Sequence, residues 1–127
     1  MENLKVHCAE NCGNSPKKEL LRDITIALAK KEIDRWMEWM HEDVLWEIVG
    51  NQQVQGKGEM EKMLQSWNDK KITELQIHNI ITHGNTASLN ATIIFKDRTR
   101  LDYCDVYNFA GFGKKAKIKK ILSYMIQ

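Results

Sequence analysis

The hydrophobic positions of this chain change period once, near the middle. From Pro16 to about Lys31, Leu20, Leu21, Ile24, Ala27 and Leu28 recur at helical spacing and form one stripe. Ser15-Pro16 ahead of it reads as an N-cap followed by proline at the first helical position. Ile33, Trp36, Met37 and Met40 fall at i, i+3, i+4 and i+7 and predict a second, short helix; Met60, Met63, Leu64 and Trp67 predict a third. Between them, 44–49 alternates as a strand, closed by Gly50 and a polar, glycine-bounded loop over 51–58. After Asp69-Lys70-Lys71 the helical period disappears. Strands are predicted over 72–82, 86–96, 100–112 and 116–126, with turn signals at His83-Gly84-Asn85, Lys96-Asp97-Arg98 and Gly111-Phe112-Gly113. Connections of hairpin length make these four strands antiparallel. Helices gathered on one face of a curved sheet give an α+β fold.

The fourth predicted strand segment that matters most is Leu101–Phe109. Counting by twos from Asp105 gives Leu101, Tyr103, Tyr107 and Phe109 on the same side. A carboxylate among four bulky hydrophobes must be paired, protonated or set in a cavity. Such an acid is a candidate for chemistry, and the competing reading is a loop cap or a partner for lysine. The strand at 44–49 carries a second acid. Alternation puts Leu45, Glu47 and Val49 on one face and Val44, Trp46 and Ile48 on the other. With the first set on the concave side, Glu47 and Asp105 share one space, and a shared apolar pocket drives their pKa values apart. The competing reading is that Glu47 sits at an exposed edge, paired with a lysine.

Size and charge narrow the function classes. A chain of 127 residues with 43% apolar residues holds one domain with a real core; the reading is an arm over 1–14 and a single domain over 15–127. Nineteen Lys and Arg against 17 Asp and Glu leave a formal charge of +2, which does not suggest a nucleic-acid partner. The run Lys114, Lys115, Lys117, Lys119 and Lys120 reads as a solvated hairpin. No apolar stretch reaches the ~18 residues of a membrane helix. The first 16 residues lack the apolar centre of a signal peptide. Three cysteines, an odd number, fit reduced thiols, and a cytoplasmic location is expected.

His7, Cys8 and Cys12 offer soft ligands within six residues, but no second half-site exists, and a local Cys8–Cys12 bridge or buried thiols is the expected use. His78 and His83, five apart, fall on opposite faces of a strand. No metal site is expected. Cys104 lies on the face opposite Asp105 and reads as a packing residue. No glycine-rich phosphate loop occurs. Trp36, Met37, Trp39 and Met40 are core positions, a minority of which could face a ligand.

The order of elements, and the segments HEDVLWEIVG at 41–50, QGKGEMEKML at 55–64, DYCDVYNFAG at 102–111 and KIKKILSY at 117–124, resemble the nuclear transport factor 2-like superfamily. That group includes ketosteroid isomerases, scytalone dehydratase, polyketide cyclases and many uncharacterised bacterial proteins. The resemblance covers nearly the whole chain from Pro16. It implies a cone, a curved sheet wrapped around a long N-terminal helix with a pocket inside, and a homodimer through the outer sheet face. Against the ketosteroid isomerases, Glu47 falls at the general-base position and Asp105 at the protonated aspartate of the oxyanion hole. Two features depart from that pattern. The oxyanion tyrosine is expected on the first helix near Asp23, yet no tyrosine precedes Tyr103, and the supporting tyrosine positions are Trp39 and Leu64. Tyr103 or Tyr107 is the replacement donor available on the Asp105 face. Arg100-Leu101-Asp102 echoes the Arg-x-Asp of limonene epoxide hydrolases, whose second aspartate has no counterpart beside Tyr124 to Ile126.

The functional expectation is therefore a protein that binds a small apolar molecule in an internal pocket. Trp39, Met63, Tyr103 and Tyr107 would line it, with Leu45, Val49, Leu64, Trp67 and Phe109 completing the wall. The alternative is a cofactor-free acid–base isomerase, dehydratase or cyclase with Glu47 as base and Asp105 as oxyanion donor. A protein-interaction scaffold with a filled interior is the third possibility. No metal or organic cofactor, nucleic acid or membrane enters any of them.

Overall fold

The structure, a computed structural model, describes residues 4–8, 15–67, 70–113 and 115–127. Its elements run β1 Lys5–Cys8, α1 Pro16–Ala29, α2 Ile33–Met37, β2 Met40–Ile48, β3 Gln52–Gln55, α3 Lys57–Ser66, β4 Ile72–His83, β5 Thr86–Phe95, β6 Arg100–Phe109 and β7 Ile118–Ile126. The strands form one sheet in the order β1-β4-β5-β6-β7-β2-β3. It is mixed: β1 runs parallel to β4 and β2 parallel to β7, and the remaining pairs are antiparallel. Three helices and a curved, unclosed seven-stranded sheet make up the α+β cone among the described residues.

Local chemistry explains the boundaries. Ser15 is extended, and its hydroxyl accepts the Lys18 N–H at 3.3 Å, with Pro16 at the first helical position. The α1 stripe buries Leu21, Ile24, Thr25 and Ala27 against the sheet. The second helix is one turn long. Its Trp36 and Met37 are buried as the spacing predicts, but Met40, expected to extend it, begins β2. Gly84 takes φ +61 in the β4–β5 hairpin, where a side chain would also meet the Phe112 ring at 3.4 Å. The last two strands are shorter than their patterns: β6 ends at Phe109 rather than 112, and β7 starts at Ile118 rather than 116.

Two strands escape the sequence pattern. Residues 5–8, assigned above to an arm, add an edge strand to β4, and 52–55, inside the expected loop, pair with β2. Both are polar and almost wholly exposed, as edge strands tend to be.

Cross-strand register defines two faces. The inner face carries Leu75, Ile77 and Ile80 of β4, Ala87, Leu89 and Ala91 of β5, Tyr107 and Phe109 of β6, and Ile121 of β7, all buried. From β2 it receives Val44, Trp46 and Ile48, also buried. Met60, Met63 and Leu64 of α3 close over this core. The register shift between Ile77 and Asn79 leaves His78 as an extra residue and keeps Ile77 and Ile80 both inward.

A buried carboxylate with two neutral donors

Asp105 sits where β6 is flanked by β5 and β7. Its register partners are Leu89 and Ser123, both fully buried, and all three point inward. A hydroxyl on one side and a phenol on its own strand supply its hydrogen bonds. Ser123 donates to Oδ1 at 2.6 Å, and the Tyr107 hydroxyl donates to Oδ2 at 3.1 Å. Ser123 in turn accepts the indole N–H of Trp46 at 2.8 Å, so four side chains from β2, β6 and β7 form one chain of polar contacts. The indole is held by its neighbours: Trp36 and Trp67 each lie with ring centres 5.4 Å away, the latter edge-on. Thr25 of α1 is buried and faces the Tyr107 phenol without closing a hydrogen bond of its own.

The electrostatics follow from this placement. Burial pushes the Asp105 carboxyl up to about 6, and the hydrogen bonds from Ser123 and Tyr107 hold it from rising further. Burial, then the Asp105 charge, keeps the phenols of Tyr103 and Tyr107 protonated far above their ordinary range. Among the described residues no cationic side chain pairs with Asp105. At neutral pH the site is therefore a mostly ionised carboxylate held only by neutral donors.

Accessibility changes along the inner face of β6. Leu101, Tyr103 and Asp105 keep accessible surface, whereas Tyr107 and Phe109 are closed off at 1% each. Ile93 on β5 and Met125 on β7, level with Leu101 and Tyr103, are likewise only partly covered. Toward Tyr107 and Ser123 the inner face is closed.

The second acid lies elsewhere. Glu47 pairs with Leu122 of β7 and Gln53 of β3, one position off the Ile48–Ser123 pair that faces inward. One position on a pleated strand is the opposite face. Glu47 therefore points outward with Leu45, and the arrangement of Glu47 and Asp105 around one cavity is corrected. Leu45 and Val49 leave the expected wall for the same reason; Val49 is 41% exposed. The heavier apolar set, Val44, Trp46 and Ile48, occupies the core. Of the other expected wall residues, Tyr103 lies on the accessible part of the inner face. Tyr107 and Phe109 lie at its closed end, and Met63 and Leu64 are buried in the helix–sheet core. Trp67 is half-exposed against Trp46, and Trp39 packs at the core margin beneath Lys117. Tyr107 is the phenol that bonds Asp105, spending its hydrogen there.

The outer face carries its own polar chain. Arg100 grips both oxygens of Asp102 at 3.1 and 3.0 Å, Thr92 donates to Oδ1 of Asp102 at 2.6 Å, and His78 Nε2 lies 2.8 Å from Thr92 Oγ1. With the threonine hydrogen spent on Asp102, His78 must donate. The Arg100 and Thr92 hydrogen bonds hold the Asp102 carboxyl below its usual range. The Arg-x-Asp echo thus faces away from the interior. Cys104 is a free thiol on this same face, its pKa raised by burial and then by Asp105. Cys8 is disulfide-bonded, the bridged one of its two expected uses, and not a reduced thiol; Cys12 and Lys114 lie outside the described residues. Among the described residues no group of three acids, histidines or cysteines is placed to hold a metal ion. An open depression of about 430 Å³ at the β1–β4 edge, lined by His7, Glu74 and His78, and another of about 450 Å³ beside α2 and α3 lie apart from Asp105. No helix among the described residues is long and apolar enough to cross a membrane.

Ser123, Trp46 and Thr25 were not singled out by the sequence. The signal for Ser123 was present: counting by twos from it gives Ile121 and Met125, a lone hydroxyl on an apolar face. Thr25 likewise stands on the apolar stripe of α1 beside Leu21 and Ile24.

Three solved structures show the same fold at low identity. An NTF2-like protein of unknown function from Cytophaga hutchinsonii matches with a TM-score of 0.62 at 23% identity, covering 85% of this chain and 97% of that one. An LEH-like epoxide hydrolase of M. tuberculosis matches at 0.69 and 19% identity, covering 85% and 76%. A candidate ketosteroid isomerase from Kribbella flavida matches at 0.68 and 12% identity, covering 88% and 78%. None of the curated proteins matches the chain. The profile of the SnoaL-like domain matches residues 21–118, from the core stripe of α1 to the first residue of β7 and so through Asp105 and its strand. With that span, and with the cone and its element order in place, the chain belongs to the SnoaL-like domain family, within the nuclear transport factor 2-like fold.

Proposed function

We propose that this protein holds a small, largely apolar molecule inside the cone, with Asp105 as its polar anchor. One observation carries the reading: Leu101, Tyr103 and Asp105 keep accessible surface on the inner face, while the floor beyond them is sealed by Tyr107 and Ser123. A carboxylate fixed by two neutral donors on a partly accessible apolar face suits orientation of a ligand more than packing. The test is a titration with Nile red, a neutral apolar dye. Saturable binding at one dye per chain, weakened by Tyr103→Ala, is expected. Fluorescence that never saturates, or is indifferent to that change, would rule the reading out.

A catalytic version has one observation in its favour, the Asp105 carboxyl near pH 6, where a group can take up and release protons. It uses Asp105 alone, since Glu47 is across the sheet. Turnover of a bound carbonyl compound, lost in Asp105→Asn with binding retained, separates it from simple binding.

The outer sheet face supports self-association. Ile81 of β4 and Tyr124 and Ile126 of β7 stand 61%, 47% and 72% exposed, and Val106 and Leu122 bridge them by register. We propose that a second copy of the chain covers this surface.

A further inference from the structure

We infer that the interior site selects a protonated amine: an apolar body carrying an ammonium group that seats on Asp105. This rests on the binding reading above and names its ligand class.

The argument is a count of donors and acceptors. Each oxygen of Asp105 takes one hydrogen bond, from Ser123 and from Tyr107, and a carboxylate has about four lone-pair directions, so acceptor capacity remains on both. The donors in the polar chain around Asp105 are used up. The Ser123 hydrogen goes to Asp105, the Tyr107 hydrogen goes to Asp105, and the Trp46 N–H goes to Ser123. Two hydroxyls remain: that of Tyr103, able to turn toward a guest, and that of Thr25, unpaired beside the Tyr107 phenol. Neither donates to Asp105, so a ligand that seats on this carboxylate must bring hydrogens to it.

Charge points the same way. The described residues place no lysine, arginine or histidine against this carboxylate. Tyr103, on the same strand face and partly accessible, adds an aromatic ring, and such rings attract cations. A carbonyl or carboxylate guest meets a spare acceptor and a like charge. An ammonium meets a counter-ion with up to two acceptor oxygens, beside the Tyr103 ring. A guest seated on Asp105 would place its apolar body beside the partly accessible Leu101, Ile93 and Met125.

The test compares three probes of one shape and three charges by calorimetry on the unaltered full chain at neutral pH: phenethylamine, phenethyl alcohol and phenylacetate. Phenethylamine should bind one per chain and about tenfold or more tighter than the alcohol, the range expected of a charge-assisted hydrogen bond. Phenylacetate should bind weakest. In Asp105→Asn the preference for the amine over the alcohol should fall to about onefold. If the alcohol binds as tightly as the amine, the amine inference is overturned and the apolar-binding reading stands. If none of the three binds, both are overturned. Since the amine-to-alcohol ratio is read on the unaltered chain, a poorly folding variant does not rescue the inference.

Discussion

Asp105 is held in a state that folding disfavours. Its carboxyl titrates near 6 in the fold against about 3.9 in an unfolded chain. The folded protein thus binds the proton more tightly, and its stability from this group is complete below about pH 4 and lost as pH rises through about 6. The two-unit difference corresponds to about 3 kcal/mol at neutral pH. Asp105→Asn should therefore raise stability relative to the parent at pH 7.5 and lose that advantage near pH 4, in urea titrations at both pH values. An equal difference at both would contradict the placement of the carboxylate. Ser123→Ala removes a donor from Asp105 and the acceptor of the Trp46 indole together. It should cost about 1–3 kcal/mol for the groups left unpaired and shift the Asp105 titration upward, followed by carboxyl resonances in NMR. The acid was legible because β6 alternates cleanly and one polar residue interrupts five inward positions. Its partners were less so, since hydrogen bonds between strands depend on register, which a single strand does not encode.

At the scale of elements, α1 is specified locally. Ser15→Ala should cost about 1 kcal/mol, measured by chemical denaturation, because the Lys18 N–H loses its acceptor. A change within a few tenths would mean that Pro16 and the buried stripe fix the start unaided. The cap, the stripes of α1 and α3 and the four long strands were readable, since each pairs a clear period with turn chemistry. β2 shows where reading failed. Both its faces carry apolar residues, so alternation fixed two sets, Leu45-Glu47-Val49 and Val44-Trp46-Ile48, without saying which is inside. The resemblance favoured the set with Glu47, but packing volume favoured the set with Trp46, which fills the core between Trp36 and Trp67. The polar edge strands β1 and β3 owe their existence to a neighbour's unpaired backbone, and no residue pattern of their own announces that.

For the whole molecule, the two faces of the sheet differ in what covers them. The inward one meets the helices and Asp105; the outward one presents Ile81, Tyr124 and Ile126. Light scattering should give the mass of two chains for the parent and of one for an Ile81→Lys, Tyr124→Lys double variant. A parent that is monomeric at tens of micromolar would remove the self-association proposal.

The accessible strip of β6 also sets a length. Leu101 to Asp105 spans four residues, which at the rise of a strand is ~13 Å. On the binding proposal, a guest whose head rests on the carboxylate would have its far end at Leu101 once it is ~13 Å long, about twice the length of a two-ring skeleton. Shorter guests would be swallowed whole, and longer ones would protrude past Leu101 into water. If the binding proposal holds, the strand acts as a gauge of molecular size. Moving the acid by two positions along it, to Tyr103 or Tyr107, would reset that gauge by ~7 Å without turning any side chain to the other face.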